Sequence, residues 1–160
     1  MNVKEYLDSK GAPYEVLRHP HAVGAHGLAR SLEVPDHDIA KTVLLRADKG
    51  YAHILAVLPG NARVDVQRVS KALAGSRLEV VGEDDVAAHC PDCEPGVLPP
   101  FGSAYDMETM VDESLATEGE IVFEGNDRTE AIRMKYEDYR RIEQPLVAKF
   151  AVPEEAHAKM

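Results

Sequence analysis

The feature that most constrains this chain is a strongly apolar segment that carries a lysine, DIAKTVLL at residues 38–45. Its composition is typical of a β-strand, in which alternate side chains point to opposite faces. Ile39, Lys41, Val43 and Leu45 then share one face, which places an ammonium group among aliphatic side chains. Because burying an unpaired charge is costly, Lys41 needs a partner or a ligand. The segment therefore predicts a buried sheet and a special role for its lysine.

The pattern alone leaves two interpretations of Lys41 open. In the structural interpretation, the lysine reaches a sheet edge or pairs with a carboxylate, and Asp65 and Asp112 are the candidate partners. In the functional interpretation, a partly desolvated lysine binds a phosphate or a polarised carbonyl oxygen, or acts as a nucleophile through a lowered pKa.

The other segments alternate between helix and strand patterns without regular βαβ spacing. A second apolar strand follows at 51–58, joined to the first by ADKG, a hairpin-like turn. Helical patterns predict helices at 2–11, 22–34, 66–75, 82–90 and 136–145. Further strands are predicted at 14–19, 77–81, 104–112, 119–125 and 129–136. This order favours a mixed α+β fold, with a mixed or antiparallel sheet and flanking helices.

The length of 160 residues fits one domain with its own core. We place that domain at 1–145 and treat 146–160 as a C-terminal tail, the last dozen residues of which we expect to be frayed. No apolar run approaches the roughly 20 residues that span a bilayer. The first residues also lack the apolar core of a signal peptide. We therefore expect a cytoplasmic protein that does not contact membranes and is a monomer or a weak homodimer.

The net charge of −10 is concentrated in the second half of the chain. Residues 1–80 hold 11 Lys/Arg and 9 Asp/Glu, whereas residues 81–160 hold 7 and 19. A protein that binds a long phosphate backbone needs a basic stripe, and this chain has only a mild basic bias in its first half. Any contact with nucleic acid is therefore expected to be weak and local, such as contact with one strand end.

The segment PDCEPGVLPPFG at 91–102 contains four of the ten prolines and is predicted to be a rigid loop. A ligand could approach the backbone closely at Gly96, and Pro100 would hold the N–H donors in place. A tight loop with a purely structural role is the other interpretation.

Two sets of metal-binding residue types have weaker patterns. Cys90 and Cys93 have half of a zinc-site spacing, but no second pair exists, and a redox pair would be expected to open a helix. His19, His21 and His26 lie near predicted element ends, where one could act as a general base or contact a phosphate. A zinc or redox protein is thus a minor alternative.

The order of these features resembles the YbaK family, which includes the editing insertion domain of bacterial prolyl-tRNA synthetase and its freestanding relatives. The motifs are HPHA at 19–22, AKTVLL at 40–45, VLPGNARVD at 57–65, CEPGVLPPFG at 93–102, MVD at 110–112 and EAIRM at 130–134. The match covers residues 3–143. Its specific part is the combination of AKT in a strand with a Gly-x-x-x-Pro loop.

The resemblance implies a curved, barrel-like mixed sheet and hydrolysis of the ester that joins a wrong amino acid to tRNA. It makes Lys41 and Gly96 the candidate catalytic residues, Lys41 as the family's lysine and Gly96 in its substrate-binding loop. No cofactor and no metal are expected. The candidate substrate-binding residues are His19, Pro100, Phe101, Gly102, Asp112 and Arg128. The tRNA 3′ end is the expected partner, through a weak local contact, and an aminoacyl-tRNA synthetase is a second candidate.

Two positions depart from the family pattern. VGAH stands where relatives often have a threonine, so Gly24 and His26 could reshape the pocket. Arg128 stands where close relatives often have a histidine. The alternative function is therefore a non-catalytic binding module for an aminoacyl or nucleotide-like ligand, or a synthetase-associated subunit.

Overall fold

The computed structural model describes residues 1–47, 53–117 and 119–154. Its helices, α1 to α5, span Val3–Ser9, Gly24–Leu32, Val66–Ala72, Glu83–His89 and Tyr136–Glu143. Its strands, β1 to β10, span Glu15–Arg18, Ala40–Ala47, His53–Pro59, Ala62–Val64, Leu78–Val80, Glu108–Asp112, Glu120–Glu124, Glu130–Lys135, Leu146–Ala148 and Ala151–Pro153. Every described helix is too short or too polar to cross a membrane. The predicted ADKG turn falls largely outside the described residues.

A five-stranded sheet in the order β5-β2-β3-β6-β9 forms the centre of the protein. Its antiparallel β2–β3 pair runs from Ala40 opposite Pro59 to Arg46 opposite His53. The β3–β6 and β6–β9 pairs are parallel, so the sheet is mixed. Nearly every residue of β3 is buried, which explains why its sequence is a continuous apolar run and does not alternate.

A second sheet, in the order β1-β8-β7, meets the first at a single parallel bridge between Ile39 and Val122. Helix α2 covers this seam, where Leu28 and Ala29 pack with the bridged pair. The third sheet pairs β10 with β4. The mixed α+β prediction is confirmed. The barrel-like curvature is not, because the described strands form three separate sheets and none of these closes on itself.

An aromatic cluster holds the loop at 91–102 against the second sheet and α5. The ring of Phe101 lies 5.7 Å from that of Phe123 and 5.3 Å from that of Tyr139, and all three side chains are fully buried. Such tilted aromatic contacts contribute about 0.5–1.5 kcal/mol each beyond their buried area. The end of the loop is therefore a rigid part of the core.

The C-terminal end is ordered further than we expected. Strand β9 joins the central sheet, β10 pairs with β4, and Phe150 between them is fully buried. The buried carboxylate of Asp112 accepts hydrogen bonds from the N–H groups of Phe150 and Ala151 at 2.9 and 2.8 Å. The expectation of fraying was wrong for residues 149–154, since strands of three residues leave almost no periodic pattern in a sequence. The domain boundary at residue 145 stays a prediction.

Candidate active site

A cavity of about 230 Å³ lies where the start of β2, the end of β7, the start of α2 and the loop at 91–102 meet. Its apolar wall includes Val23, Ala25, Leu28 and Ile39. This wall follows from the amphipathic pattern of α2, which turns its apolar side toward the seam between the two sheets.

Lys41 lines this cavity and is half buried. Burial lowers the pKa of its ammonium group below the ordinary value, and the nearby carboxylate of Glu154 opposes that shift. The suggested pairing with Asp65 or Asp112 is wrong, because Asp65 caps α3 and Asp112 holds the C-terminal backbone. Within the described part of the chain, Lys41 has no ion pair at all. The functional interpretation of its inward position is therefore favoured.

Gly96 lines the same cavity from a tight turn. The carbonyl of Glu94 accepts a hydrogen bond from the N–H of Val97 at 3.0 Å, and Gly96 has a φ of +87°. Proline at the second turn position and glycine at the third are the residues that a type II turn requires, and Pro95 and Gly96 occupy these positions. A side chain at Gly96 would be strained in this conformation.

A hydrogen bond ties this loop to the strand that carries Lys41. The hydroxyl of Thr42 donates to the carbonyl of Leu98 at 2.8 Å. Among the described residues, the backbone N–H groups of Gly96 and Leu98 have no hydrogen-bond acceptor. A half-buried cation and a loop with unpaired N–H groups therefore line one cavity, an arrangement that suits an anion or a polarised carbonyl oxygen.

Arg128 fastens the loop from the opposite side. Its guanidinium, only 11% exposed, lies 3.6 Å from the carboxylate of Glu94 and 3.3 Å from that of Glu124, and it donates to the carbonyl of Pro95 at 3.1 Å. The backbone N–H of Arg128 and the ring of His21 both donate to Glu94 and hold the pKa of its carboxyl below the ordinary value. Arg128 also lines the cavity.

Glu124 is a cavity residue that the sequence analysis missed. It ends β7, and its side chain is 24% exposed. Burial raises the pKa of its carboxyl, and the positive charge of Arg128 opposes that shift. A signal was available, since Glu124 is an acidic residue at the end of a predicted strand, directly before the turn that holds Arg128.

The remaining predicted substrate-binding residues are absent from the described cavity wall. Each contacts other groups of the protein, but the Nε2 atom of His19 is buried without a hydrogen-bond partner among the described residues. The His19 ring is buried beside the carbonyl of Pro20, at 2.8 Å from Nδ1. The carbonyl of Pro100 accepts from the hydroxyl of Tyr139 at 2.7 Å. The Phe101 ring belongs to the core.

Gly102 and Asp112 are likewise engaged in hydrogen bonds within the protein. The N–H of Gly102 donates to the hydroxyl of Thr109 at 2.9 Å, and the Asp112 carboxylate receives four hydrogen bonds. A role of these five residues in substrate binding stays a prediction, and their positions favour a structural role.

Cys90 and Cys93 are joined in a disulfide just ahead of the Gly96 turn. Cys90 directly follows α4, so the pair lies at the end of a helix and not at its start. A redox pair usually begins a helix, and zinc binds the thiolate form. The position at a helix end does not favour a redox pair. Cys90, Asp92 and Cys93 offer ligand atoms within 4.8 Å of one another, but zinc would require the disulfide to be reduced, so both alternatives stay predictions.

Comparison with known proteins agrees with this geometry. The prolyl-tRNA editing protein ProX of Acetoanaerobium sticklandii is 25% identical over 141 residues, or 85% of each chain. The multifunctional Ser/Thr-tRNA deacylase ProXp-y of Escherichia coli K12 is 25% identical over 148 residues, 90% of this chain and 87% of the relative.

The fold is also found in solved structures. A protein proposed as a trans-editing enzyme for prolyl tRNA synthetase superposes with a TM-score of 0.79 at 20% identity, covering 96% of this chain and 95% of the other. Residues 19–142 match the model of a family described as the aminoacyl-tRNA editing domain. Since that match spans most of the sequence, this chain belongs to the aminoacyl-tRNA editing domain family.

Proposed function

We propose that this protein hydrolyses the ester between a wrongly attached amino acid and the 3′ end of a tRNA. The observation that carries the proposal is the cavity lined by both Lys41, which has no ion pair with a described residue, and Gly96. Family membership supports it, as do the names of ProX and ProXp-y, an editing protein and a deacylase. The tRNA end is the proposed partner, with a synthetase as a second one.

The chemistry requires little of the protein, because an aminoacyl ester is already activated. Water attacks the carbonyl carbon, and negative charge develops on the carbonyl oxygen. The ammonium of Lys41 and the N–H of Gly96 would stabilise that oxygen in a partly dry site. The intermediate then collapses, the bond from carbon to the ribose oxygen breaks, and that oxygen takes up a proton.

The proton acceptor for the attacking water is best sought on the substrate. The described cavity wall contains no histidine or cysteine, the hydroxyl of Thr42 already donates its proton to Leu98, and the carboxylate of Glu124 is ion-paired with Arg128. A ribose hydroxyl next to the ester is within reach of any water that attacks the carbonyl. Substrate-assisted proton transfer therefore fits the residues present.

The apolar wall formed with Val23, Ala25 and Leu28 would select the amino acid by size. One methylene changes the binding free energy in such a pocket by only about 1–3 kcal/mol. Synthetases therefore need a second site that accepts or rejects amino acids by their size.

Deacylation of a panel of mischarged tRNAs tests the proposal. Wild type should release at least one amino acid, and Lys41→Ala should be slower by about 10²-fold or more, as when one oxyanion donor is removed. Lys71→Ala, at an exposed position on α3, is the matched control and should behave as wild type.

The panel also separates the alternative function. Binding of charged tRNA by folded wild type, with no release of any amino acid, would replace deacylation by a non-catalytic binding role. Release that is unaffected by Lys41→Ala would show that the chemistry lies elsewhere on the protein.

A further inference from the structure

Glu124 is the acidic side chain of the described cavity wall, which also contains the cations Lys41 and Arg128. The bridge between Ile39 and Val122 runs parallel, and Lys41 and Glu124 each follow it by two residues. Because alternate side chains of a strand share a face, both groups project to the side of the bridged pair. A cation and an anion thus enter one cavity from neighbouring strands.

The Glu124 carboxylate is only partly satisfied. Its Oε2 accepts from Arg128 at 3.3 Å, and its Oε1 has no hydrogen-bond partner among the described residues. Arg128 is shared, since it also meets the Glu94 carboxylate and the Pro95 carbonyl. Two carboxylates therefore compete for one guanidinium, while His21 contacts Glu94 from the exposed side. The Oε1 atom of Glu124 is therefore left available to a further hydrogen-bond donor.

We propose that Glu124 receives the α-ammonium group of the aminoacyl ester while Lys41 meets its carbonyl oxygen. The inference rests on the proposed function and names a feature of the substrate. In every aminoacyl ester the amino nitrogen is one carbon away from the carbonyl, so a carbonyl bound at Lys41 places the ammonium in the cavity that the carboxylate of Glu124 also lines. Arg128 acts as a positioning residue that holds the carboxylate.

A consequence for substrate choice follows. The ammonium is common to all aminoacyl groups, so Glu124 anchors the ester without reading the side chain, which is left to the apolar wall. Esters with a neutral or blocked α-position would lose the charge-assisted contact. The protein should therefore act on free aminoacyl-tRNA and spare N-acylated aminoacyl-tRNA and peptidyl-tRNA.

The sharpest test compares two substrates of equal size. One is the mischarged tRNA that wild type deacylates fastest, and the other is its α-hydroxyacyl counterpart, in which a hydroxyl replaces the ammonium. Wild type should prefer the aminoacyl ester by about 10-fold or more, after correction for the uncatalysed rates, as expected for a hydrogen bond between charged groups. Glu124→Gln should lose most of this preference by slowing on the aminoacyl ester alone.

Glu120→Gln, at the exposed start of the same strand, is the matched control and should keep the wild-type preference. Equal slowing of Glu124→Gln on both substrates would overturn the inference and indicate a general base or a damaged fold. An unchanged preference in Glu124→Gln would overturn it as well.

A binding measurement separates this inference from the proposed function. Amide-linked aminoacyl-adenosine cannot be hydrolysed, and its affinity can be compared with that of the α-hydroxyacyl amide for wild type and Glu124→Gln. In one outcome, wild type releases no amino acid but binds the ammonium form about 10-fold more tightly, and Glu124→Gln loses this difference. That result would rule out the proposed hydrolysis and support ammonium binding at Glu124. Equal binding of both amides to wild type would contradict the proposed binding of the ammonium group by Glu124.

Discussion

Lys41 keeps a half-buried ammonium group without an ion pair to any described residue. Such a charge is desolvated at a cost, so the fold does not depend on it. The Lys41→Ala variant should consequently melt at or above the wild-type temperature while it loses activity. Loss of both together would instead assign the lysine a structural role.

The ring of His26 lies between two carboxylates. Its Nδ1 lies 2.7 Å from Asp36 and its Nε2 lies 2.6 Å from Glu154. These hydrogen bonds, that of Asp36 first, raise the pKa of the ring above its ordinary value. A group whose pKa is raised by folding stabilises the protein fully below its unfolded pKa, about 6.5, and this contribution is lost as the pH rises through the folded pKa.

We therefore predict that His26→Ala lowers the melting temperature at pH 5.5 and that the difference from wild type shrinks toward pH 8.5. The effect should be modest, because the ring is about half exposed and screened by solvent. In a background with Asp36→Asn and Glu154→Gln, the same substitution should show no such pH dependence. A difference that grows with pH would contradict the assignment.

At the scale of elements, the loop that begins at the disulfide is locked at its far end by α5 and β6. The hydroxyl of Thr109 accepts from the N–H of Gly102 and donates to the buried carboxylate of Glu143 at 2.6 Å. Glu143 also receives the N–H and hydroxyl of Ser103. The loop, a strand and a helix therefore share one hydrogen-bond network.

Gly102 is the most confined residue of that network. A Cβ there would lie 2.4 Å from Thr109 Oγ1 and 2.9 Å from the carbonyl oxygen of Met107. Gly102→Ala should lower the free energy of unfolding by about 3 kcal/mol, because overpacking adds to the loss of a buried hydrogen bond. Chemical denaturation of the two proteins measures this difference.

Gly27→Ala is the matched control on α2, where a Cβ would meet nothing closer than 3.9 Å. Because alanine favours a helix interior over glycine, this change should raise stability by up to about 1 kcal/mol. A neutral Gly102→Ala would show that the loop has more freedom than the network implies, and a substrate-contacting role for Gly102 would then regain support.

At the scale of the whole molecule, the net charge of −10 limits how nucleic acid can bind. We predict that affinity for uncharged tRNA falls less than about 10-fold between 50 and 200 mM salt, because few phosphates are contacted. Fluorescence anisotropy at several salt concentrations measures the slope. A 10³-fold loss of affinity would mean about six or more phosphate contacts. It would indicate that a basic surface forms when this protein assembles with other copies or a partner.

Much of the architecture is encoded locally in this sequence. Every predicted helix and strand with a clear apolar period was found, because burial of one face leaves a repeat of two or 3.6 residues. The inward Lys41 and the rigid loop at 91–102 were likewise predicted, since alternation and the restricted φ of proline act over a few residues. The short β4, β9 and β10 were not predicted, because a three-residue strand is recognised only when its flanking residues extend the pattern, as those of β5 do at 77–81.

The site itself required the tertiary structure. Lys41 is distant in sequence from Glu124 and Arg128. It shares a cavity with them only because the residue before β2 bridges to β7 and α2 covers the seam. Phe101 and Asp112 have residue types common in sites, yet long-range packing makes one a core ring and the other a clasp for the C-terminal strand. The sequence by itself determined the elements and the inward lysine, whereas the contacts between strands decided which charges share its cavity. The physical reason is that electrostatic and packing energies depend on distances that the chain sets only after it folds.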